Sequence, residues 1–132
     1  MKIEKVALIH IVDKKLLGVR SKGREAFFMP GGKREGSETD AECLERELRE
    51  ELGIKLDKKS MDFLEDFEAP AYNDPTKTIF EICYSAGFSG ELKPNTAVDE
   101  IGWLTSADIG TARLSEMGDK ILKFLNKHEL IN

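Results

Sequence analysis

The segment MPGGKREGSETDAECLERELREELGI, residues 29–54, constrains the fold of this chain most strongly. Thr39 and Glu42 form a capping-box pattern, and Gly53 stands where a left-handed C-terminal cap is expected. The sequence therefore predicts a helix over Thr39–Leu52. Four apolar residues of this helix fall on one stripe at helical spacing and predict a face packed on a core: Ala41, Leu44, Leu48 and Leu52.

Three glutamates follow the margin of that apolar stripe. Glu47 and Glu51 are four residues apart, and Glu50 lies just beyond them. Carboxylates are seldom packed near a core without a compensating cation, and hard oxygen ligands at this spacing suit Mg²⁺ or Mn²⁺. The preceding Pro-Gly-Gly turn lets the backbone pass close to a ligand, because glycine has no side chain. The pattern favours metal-assisted phosphate chemistry, with a solvated surface helix as the alternative.

Two further glutamates lie on the far side of the same helix. Glu42 and Glu45 each stand four residues before an arginine, Arg46 and Arg49 respectively. This spacing allows ion pairs along a helix surface. We therefore expect a solvated, salt-bridged face opposite the three marginal glutamates.

Composition limits the function classes. A chain of 132 residues and 14.8 kDa is the size of one domain, and we interpret residues 1–132 as a single domain. The net charge of −5 speaks against sequence-independent nucleic-acid binding, which needs a basic surface. No apolar run reaches membrane-spanning length, and no signal-peptide pattern begins the sequence. Cys43 and Cys83 fit no metal motif, so reduced thiols and a cytoplasmic location are expected.

The remaining segments alternate between strand and helix patterns. Six β-branched or apolar runs predict strands: Ile3–Val12, Leu16–Arg20, Ala26–Met29, Phe63–Phe67, Thr78–Phe88 and Val98–Leu104. Ala112–Lys127 has apolar residues at helical spacing and predicts an amphipathic helix. Strands on both sides of a central helix, with a closing helix, predict a mixed α/β sandwich.

Nine positions between residues 32 and 54 match the Nudix box, G-x5-E-x7-R-E-U-x-E-E-x-G-U, where U is a bulky aliphatic residue. They are Gly32, Glu38, Arg46, Glu47, Leu48, Glu50, Glu51, Gly53 and Ile54. The chain thus resembles the Nudix hydrolases, and most resembles their MutT-like single-domain members. The resemblance implies an α/β/α sandwich around a mixed β-sheet, with the box as a loop–helix–loop. It also implies hydrolysis of the diphosphate linkage in a nucleoside diphosphate derivative, with Mg²⁺ or Mn²⁺.

The same resemblance assigns roles within the box. Glu47, Glu50 and Glu51 look like metal ligands, and Glu50 or Glu51 would also orient or deprotonate the attacking water. Gly32 would offer its backbone carbonyl to a metal. Two further box residues look structural and would brace the loop against the helix: Glu38 and Arg46.

Three residues outside the box are candidates with open alternatives. Arg20, at the end of the first hairpin, either reaches the substrate phosphates or is a solvated strand end. Glu100 resembles an extra carboxylate that several relatives supply as ligand or base, with Asp99 as its rival and simple surface exposure as the alternative. Glu81 alternates with Ile79 and Cys83, which is unusual for a buried strand, so it serves the site or lies on a solvated face.

The substrate is not fixed by the sequence. Phe28 and Tyr72 are candidates for binding it, among four aromatic residues available outside the box: Phe27, Phe28, Tyr72 and Trp103. Pro70 and Tyr72 stand near marker positions of two different substrate classes, ADP-ribose and dinucleoside polyphosphates. The short chain favours a nucleoside triphosphate pyrophosphohydrolase, with those two classes, nucleotide sugars, or a non-catalytic nucleotide-binding module as alternatives. A homodimer is possible.

Overall fold

The computed structural model describes residues 2–95 and 97–132. Within them the chain forms nine strands and two α-helices. The strands are β1 (Lys2–Leu8), β2 (Ile11–Val12), β3 (Lys15–Ser21), β4 (Gly31–Lys33), β5 (Lys55–Leu56), β6 (Asp62–Ala71), β7 (Asp74–Ser85), β8 (Phe88–Ser89) and β9 (Val98–Leu104). The helices are α1 (Asp40–Leu52) and α2 (Glu116–Lys127), and two short 3₁₀ helices cover Lys58–Ser60 and Ser106–Asp108.

Three sheets organise these strands. The largest has the order β4-β1-β7-β6, and it is mixed because β1 pairs parallel with β7 but antiparallel with β4. A second, antiparallel sheet has the order β2-β3-β9, and β5 pairs with β8 in the third. The two-residue turn between β2 and β3 has positive φ at both Asp13 and Lys14, as a tight hairpin turn requires.

Alternating side chains of the strands fill two cores, one under each helix. In β1, Val6 and Leu8 join the cluster that contains Leu44, Leu48 and Leu52 of α1. Ala7, between them, joins the cluster that contains the apolar face of α2, namely Met117, Ile121, Leu122 and Leu125. The sheets therefore lie between the two helices, and the predicted α/β/α sandwich with a mixed sheet is confirmed.

The central helix begins and ends as predicted. The Thr39 hydroxyl accepts from the backbone N–H of Glu42, whose carboxylate accepts from the backbone N–H of Thr39. Gly53 ends the helix with φ 66° and donates to the Arg49 carbonyl. Cys43 is fully buried on the apolar face, whereas Ala41 is half-buried, so the buried stripe is centred closer to Cys43 than the spacing argument predicted.

Several predicted strand limits were wrong. The Ile3–Val12 run divides into β1 and β2, because the chain passes from the mixed sheet to the antiparallel sheet between them. Ala26–Met29 forms only isolated bridges, through Phe27 and Phe28, and no strand. Phe88 belongs to the separate strand β8, since β7 ends at Ser85.

The β6–β7 hairpin is longer than predicted. Its strands run almost to the turn at Tyr72 and Asn73, so Pro70 and Pro75 lie within strands rather than in a loop. Pro70 is tolerated because β6 is the edge strand of its sheet, where a missing N–H need not interrupt the ladder. The closing helix starts later than predicted, after the N-cap Ser115.

Neither α1 nor α2, nor any other helix in the described residues, is long and apolar enough to cross a membrane.

Candidate functional site

The Pro-Gly-Gly turn packs closely against β1 at Gly31 and against α1 at Gly32. Gly31 has φ +140°, and a Cβ there would lie 2.0 Å from the Val6 carbonyl oxygen. A Cβ on Gly32 would lie 2.6 Å from the Glu47 carboxylate carbon. The Gly31 N–H donates to Glu51 Oε1 at 3.1 Å. The glycines thus let two carboxylates of the helix reach the backbone of the turn.

The Arg46 guanidinium connects the loop to the helix. It donates two hydrogen bonds to the Glu38 carboxylate, at 2.7 and 2.9 Å, and one to the Lys33 carbonyl at 3.1 Å. It also donates to Glu47 Oε1 at 2.8 Å, and more weakly to Glu50 Oε2 at 3.4 Å. This is the bracing of loop against helix that the resemblance implied for Glu38 and Arg46.

The predicted ion pairs on the far side of α1 were wrong. Arg46 turns to Glu38 and Glu47 instead of Glu42, because the bidentate pair with a half-buried carboxylate is stronger than an exposed pair along the helix. Glu42 completes the capping box, and Glu45 pairs with Lys58 at 3.3 Å.

Burial and charge act differently on the carboxylates of this region. Burial, supported by the nearby Glu47 carboxylate, raises the pKa of Glu51 to about 8, although the Gly31 N–H opposes the shift. The Arg46 guanidinium and the backbone N–H of Glu35 lower the pKa of Glu38 to about 2. Glu51 is half-buried beside the Glu47 carboxylate, and no arginine pairs with it among the described residues, so a cation bound there would supply the missing positive charge.

The donor atoms at this site fit a hard divalent cation in their chemistry. The available donors are the carboxylates of Glu47, Glu50 and Glu51 and the carbonyl of Gly32, all of them oxygen. The side chain of Glu50 is 56% exposed, so it is free to turn toward an ion. Within residues 2–95 and 97–132, no three acidic, His or Cys side chains converge tightly enough to hold an ion as they stand.

Two cavities meet at Glu51. The smaller, of about 490 Å³, is lined by all three marginal glutamates, together with Ser21 and Asn95 among others. The larger, of about 790 Å³, is lined by Glu51 and both turn glycines at one end. The carboxylates therefore border a space of nucleotide size.

Two of the predicted substrate-binding residues line the larger cavity. Phe28 and Tyr72 make an edge-to-face pair with ring centroids 5.5 Å apart. Lys5 Nζ lies 5.9 Å from the Phe28 ring centroid, and the Arg24 guanidinium lies 5.9 Å from that of Tyr72. Aromatic rings with cations beside them are suited to a flat, anionic ligand.

Arg20, Glu100 and Trp103 lie outside both cavities. Arg20 donates to Glu100 Oε1 at 2.9 Å and to Asp99 Oδ2 at 2.9 Å, across the β3–β9 pair. Neither Arg20 nor Glu100 is among the residues that line the two cavities. The Trp103 ring lies near His10, with centroids 6.2 Å apart, and not in either cavity.

Sequence reasoning missed Lys5 as a residue of this site. It lines the larger cavity, and its charge lowers the pKa of both Glu51 and Glu81, against the effect of burial. A signal was available, because Lys5 interrupts the apolar run of β1 with a side chain on the same face as Ile3 and Ala7.

Known proteins resemble this chain in sequence and in fold. The family profile described as NUDIX domain matches residues 1–125. Nucleoside triphosphatase NudI of Enterobacter sp. (strain 638) is 34% identical over 99 residues, which are 68% of this chain and 69% of that protein.

Solved structures share the fold at lower identity. The MutT NUDIX hydrolase of Burkholderia pseudomallei aligns with a TM-score of 0.76 at 22% identity, over 93% of this chain and 97% of that one. The E. coli ORF135 protein aligns with a TM-score of 0.74 at 24% identity, over 96% and 91%. Together with the profile match over nearly the whole length, these likenesses establish that the chain belongs to the Nudix family of hydrolases.

Proposed function

We propose that this protein is a divalent-metal-dependent pyrophosphohydrolase whose preferred substrate is a nucleoside triphosphate. The observation that carries the proposal is the position of Glu47 and Glu51, which pack on the Gly31-Gly32 turn where both cavities meet. The choice of triphosphate is supported by the name of the relative at 34% identity, a nucleoside triphosphatase.

In this proposal Glu47, Glu50, Glu51 and the Gly32 carbonyl hold Mg²⁺ or Mn²⁺. When bound, the ion would neutralise the negative charge of the diphosphate and lower the pKa of a water molecule bound to it. Arg46 fixes the Glu47 carboxylate from the loop side, so that this ligand is oriented in advance. Glu50 or Glu51 orients the attacking water and accepts its proton.

The larger cavity would hold the nucleoside. With the diphosphate at the Glu51 end, the base reaches the aromatic pair of Phe28 and Tyr72. Lys5 lines the same cavity, and its charge, which lowers the pKa of both Glu51 and Glu81, would stabilise negative charge on the substrate. Water attacks phosphorus directly, because the box contributes no nucleophilic Ser, Cys or His in a recognisable arrangement.

Arg20 and Glu100 stay in the proposal as residues to be tested. Their ion pair must open before Arg20 binds phosphate or Glu100 acts as ligand or base. Activity of the Glu100→Gln variant decides the second role: a loss of about 100-fold supports it, and wild-type turnover removes it.

The substrate class is tested by a hydrolysis screen with products identified. Wild-type protein with Mg²⁺ is incubated with nucleoside triphosphates, ADP-ribose, nucleotide sugars and dinucleoside polyphosphates. Reaction in ¹⁸O-labelled water should place the label on a phosphate product. A much higher kcat/KM for ADP-ribose or a dinucleoside polyphosphate would replace the triphosphate preference, and no cleavage of any of them would refute the hydrolytic function.

Metal binding is tested without reference to turnover. Mg²⁺ at about 100 times its Kd should stabilise the folded protein by about 2.7 kcal/mol, because it binds only the native carboxylate cluster. Glu47→Gln and Glu51→Gln should lose this stabilisation, and Glu45→Gln should keep it. The predictions of a single domain, a cytoplasmic location and a possible homodimer remain predictions.

A further inference from the structure

Glu81 is a buried carboxylate that the box does not account for. It lies on β7, where Lys5 of β1 and Phe67 of β6 are its partners in register. The residue is 8% exposed, and it shares its sheet face with Ile79 and Cys83, which both belong to the core under α2. An apolar side chain would pack here at lower cost.

The Glu81 carboxylate faces the larger cavity. Glu81 lines that cavity together with Lys5, Phe28 and Tyr72. In the described residues no hydrogen bond to it contributes to its pKa, which burial raises to about 7 while Lys5 opposes the shift. In the described residues, every side-chain oxygen or nitrogen that is fully shielded from solvent has a hydrogen-bond partner. The carboxylate oxygens of Glu81 have none, so they are not fully shielded and must face the cavity.

The position of this carboxylate relates it to the substrate rather than to the metal. Glu51 marks the end of the cavity where the diphosphate binds under the proposed function. Glu51 belongs to α1, whose apolar residues pack in one core, whereas Glu81 lies on the sheet face of Ile79 and Cys83, which belong to the other core under α2. Lys5 is the register partner of Glu81, and its Nζ lies 5.9 Å from the centroid of the Phe28 ring, which pairs with Tyr72, so Glu81 lines the cavity on the side of this aromatic pair.

We infer that Glu81 is a specificity-determining residue that accepts a hydrogen bond from an amino group on the edge of the substrate's nucleobase. The inference rests on the proposed function, since it requires a nucleotide in the cavity. An ionised carboxylate only accepts hydrogen bonds, so an amino-bearing base satisfies it. A base with a carbonyl, or with no group, at that position leaves the buried carboxylate unpaired and is rejected.

Two pairs of substrates isolate the amino group. GTP and ITP differ only in the 2-amino group of the purine, and CTP carries an amino group where UTP has a carbonyl. We expect wild-type protein to prefer the amino-bearing member of at least one pair by about 10- to 100-fold in kcat/KM. Because an amide both donates and accepts, Glu81→Gln should reduce this preference to about threefold or less, mainly by improving the member that lacks the amino group.

Glu68→Gln is the matched control. Glu68 lies on the neighbouring strand β6 and is exposed, where it pairs with Lys2 at 3.1 Å. This variant should keep the wild-type preference. Thermal unfolding of both variants checks that they fold, and Glu81→Gln should be at least as stable as wild type, because the change removes a buried charge.

Equilibrium binding of GMP, IMP, CMP and UMP separates this inference from the proposed function. These ligands have no diphosphate linkage, so their affinities report the base alone. If triphosphates are hydrolysed but Glu81→Gln leaves both preferences unchanged, the inference falls and the function stands. If nothing is hydrolysed but the monophosphates show a preference that depends on Glu81, the function falls and the role of Glu81 stands. Absence of nucleotide binding overturns both.

Discussion

The loop–helix region, residues 29–54, contains the half-buried Glu51, and the wall of the larger cavity contains the buried Glu81, in very different surroundings. Glu51 accepts from the Gly31 N–H and lies beside Glu47, which Arg46 holds in turn. Among the described residues, only the charge of Lys5 opposes the effect of burial on the pKa of Glu81. The loop–helix region is thus fixed by its own polar contacts, whereas the cavity wall keeps an acceptor free for a ligand.

This difference separates two kinds of function. A metal site needs ligands held in position before the ion arrives, and at the proposed site the contacts of Arg46 would do this. A base-binding surface needs groups that remain unsatisfied until the right ligand supplies a donor. Changes in the first region should therefore reduce turnover of every substrate, and changes in the second should alter which substrate is preferred.

The largest expected effect is on the carboxylates of the loop–helix region. Glu51→Gln and Glu47→Gln should each lower kcat/KM by about 100-fold or more for every substrate, because the amide keeps the shape but not the charge that holds the metal. Steady-state kinetics with Mg²⁺ measures the loss. Glu45→Gln, whose carboxylate pairs with Lys58, should be nearly silent. Equal losses in all three variants would contradict the division of α1 into two faces.

A smaller loss is expected when the brace is weakened. Arg46→Lys keeps the charge but loses the forked contact with Glu38, so kcat/KM should fall by about 10-fold or more, with weaker Mg²⁺ binding. Arg34→Lys is the matched control, since Arg34 pairs with Asp40 and Glu4 and makes no contact with Glu47. The comparison fails if the control loses as much activity as Arg46→Lys.

The aromatic pair of the cavity wall should affect binding more than turnover. Phe28→Ala and Tyr72→Ala each remove a cavity-lining ring on which a base would stack under the proposed function, so KM should rise by about 10-fold with a smaller change in kcat. Phe63→Ala removes an exposed ring that packs on Tyr84 outside the cavity and should leave KM unchanged. A uniform fall in kcat with constant KM would place both aromatic residues outside the substrate site.

The smallest expected effect is on stability. Burial raises the pKa of Glu81 to about 7 in the folded protein, above its value in the unfolded chain. The folded state therefore binds this proton more tightly, and the stability that the proton contributes is lost as the pH rises toward and through 7. Glu81→Gln has no such dependence. The free energy of unfolding of the variant minus that of wild type should increase by on the order of 1 kcal/mol from about pH 5 to about pH 8 in denaturant titrations.

The sequence predicted the loop–helix region well because its contacts are local. The Thr39–Glu42 capping box and the Gly53 cap each depend on residues a few positions apart, and both were found. Arg46 was assigned to the bracing of the loop correctly through the family resemblance, but its pairing with Glu42 was wrong. Helix spacing alone cannot reveal that Glu38, in the preceding loop, is a stronger bidentate partner for Arg46.

The cavity wall was harder to predict because its residues come from distant segments. Lys5 and Glu81 are partners across a parallel strand pair, and only the fold brings them together. The long β6–β7 hairpin was also missed, since the predicted strands ended at Phe67 and resumed at Thr78, which left Pro70 between them. Only the edge position of β6 makes Pro70 acceptable in a strand. Alternation did single out Glu81, but it could not tell a cavity from a solvated face.

The parallel pairing of the first strand has a consequence for the order of folding during synthesis. β1 lies between β4 and β7, and its pairing joins Lys2 to Thr78 and Leu8 to Tyr84. The glycine turn and α1 emerge from the ribosome before β7 does, so the carboxylate cluster can assemble early against β4 and β1. The cavity wall must wait for a contact of long sequence separation, which is slow to close. A nascent chain arrested before β7 emerges would therefore contain the proposed metal ligands but would lack the cavity wall that is proposed to select the base.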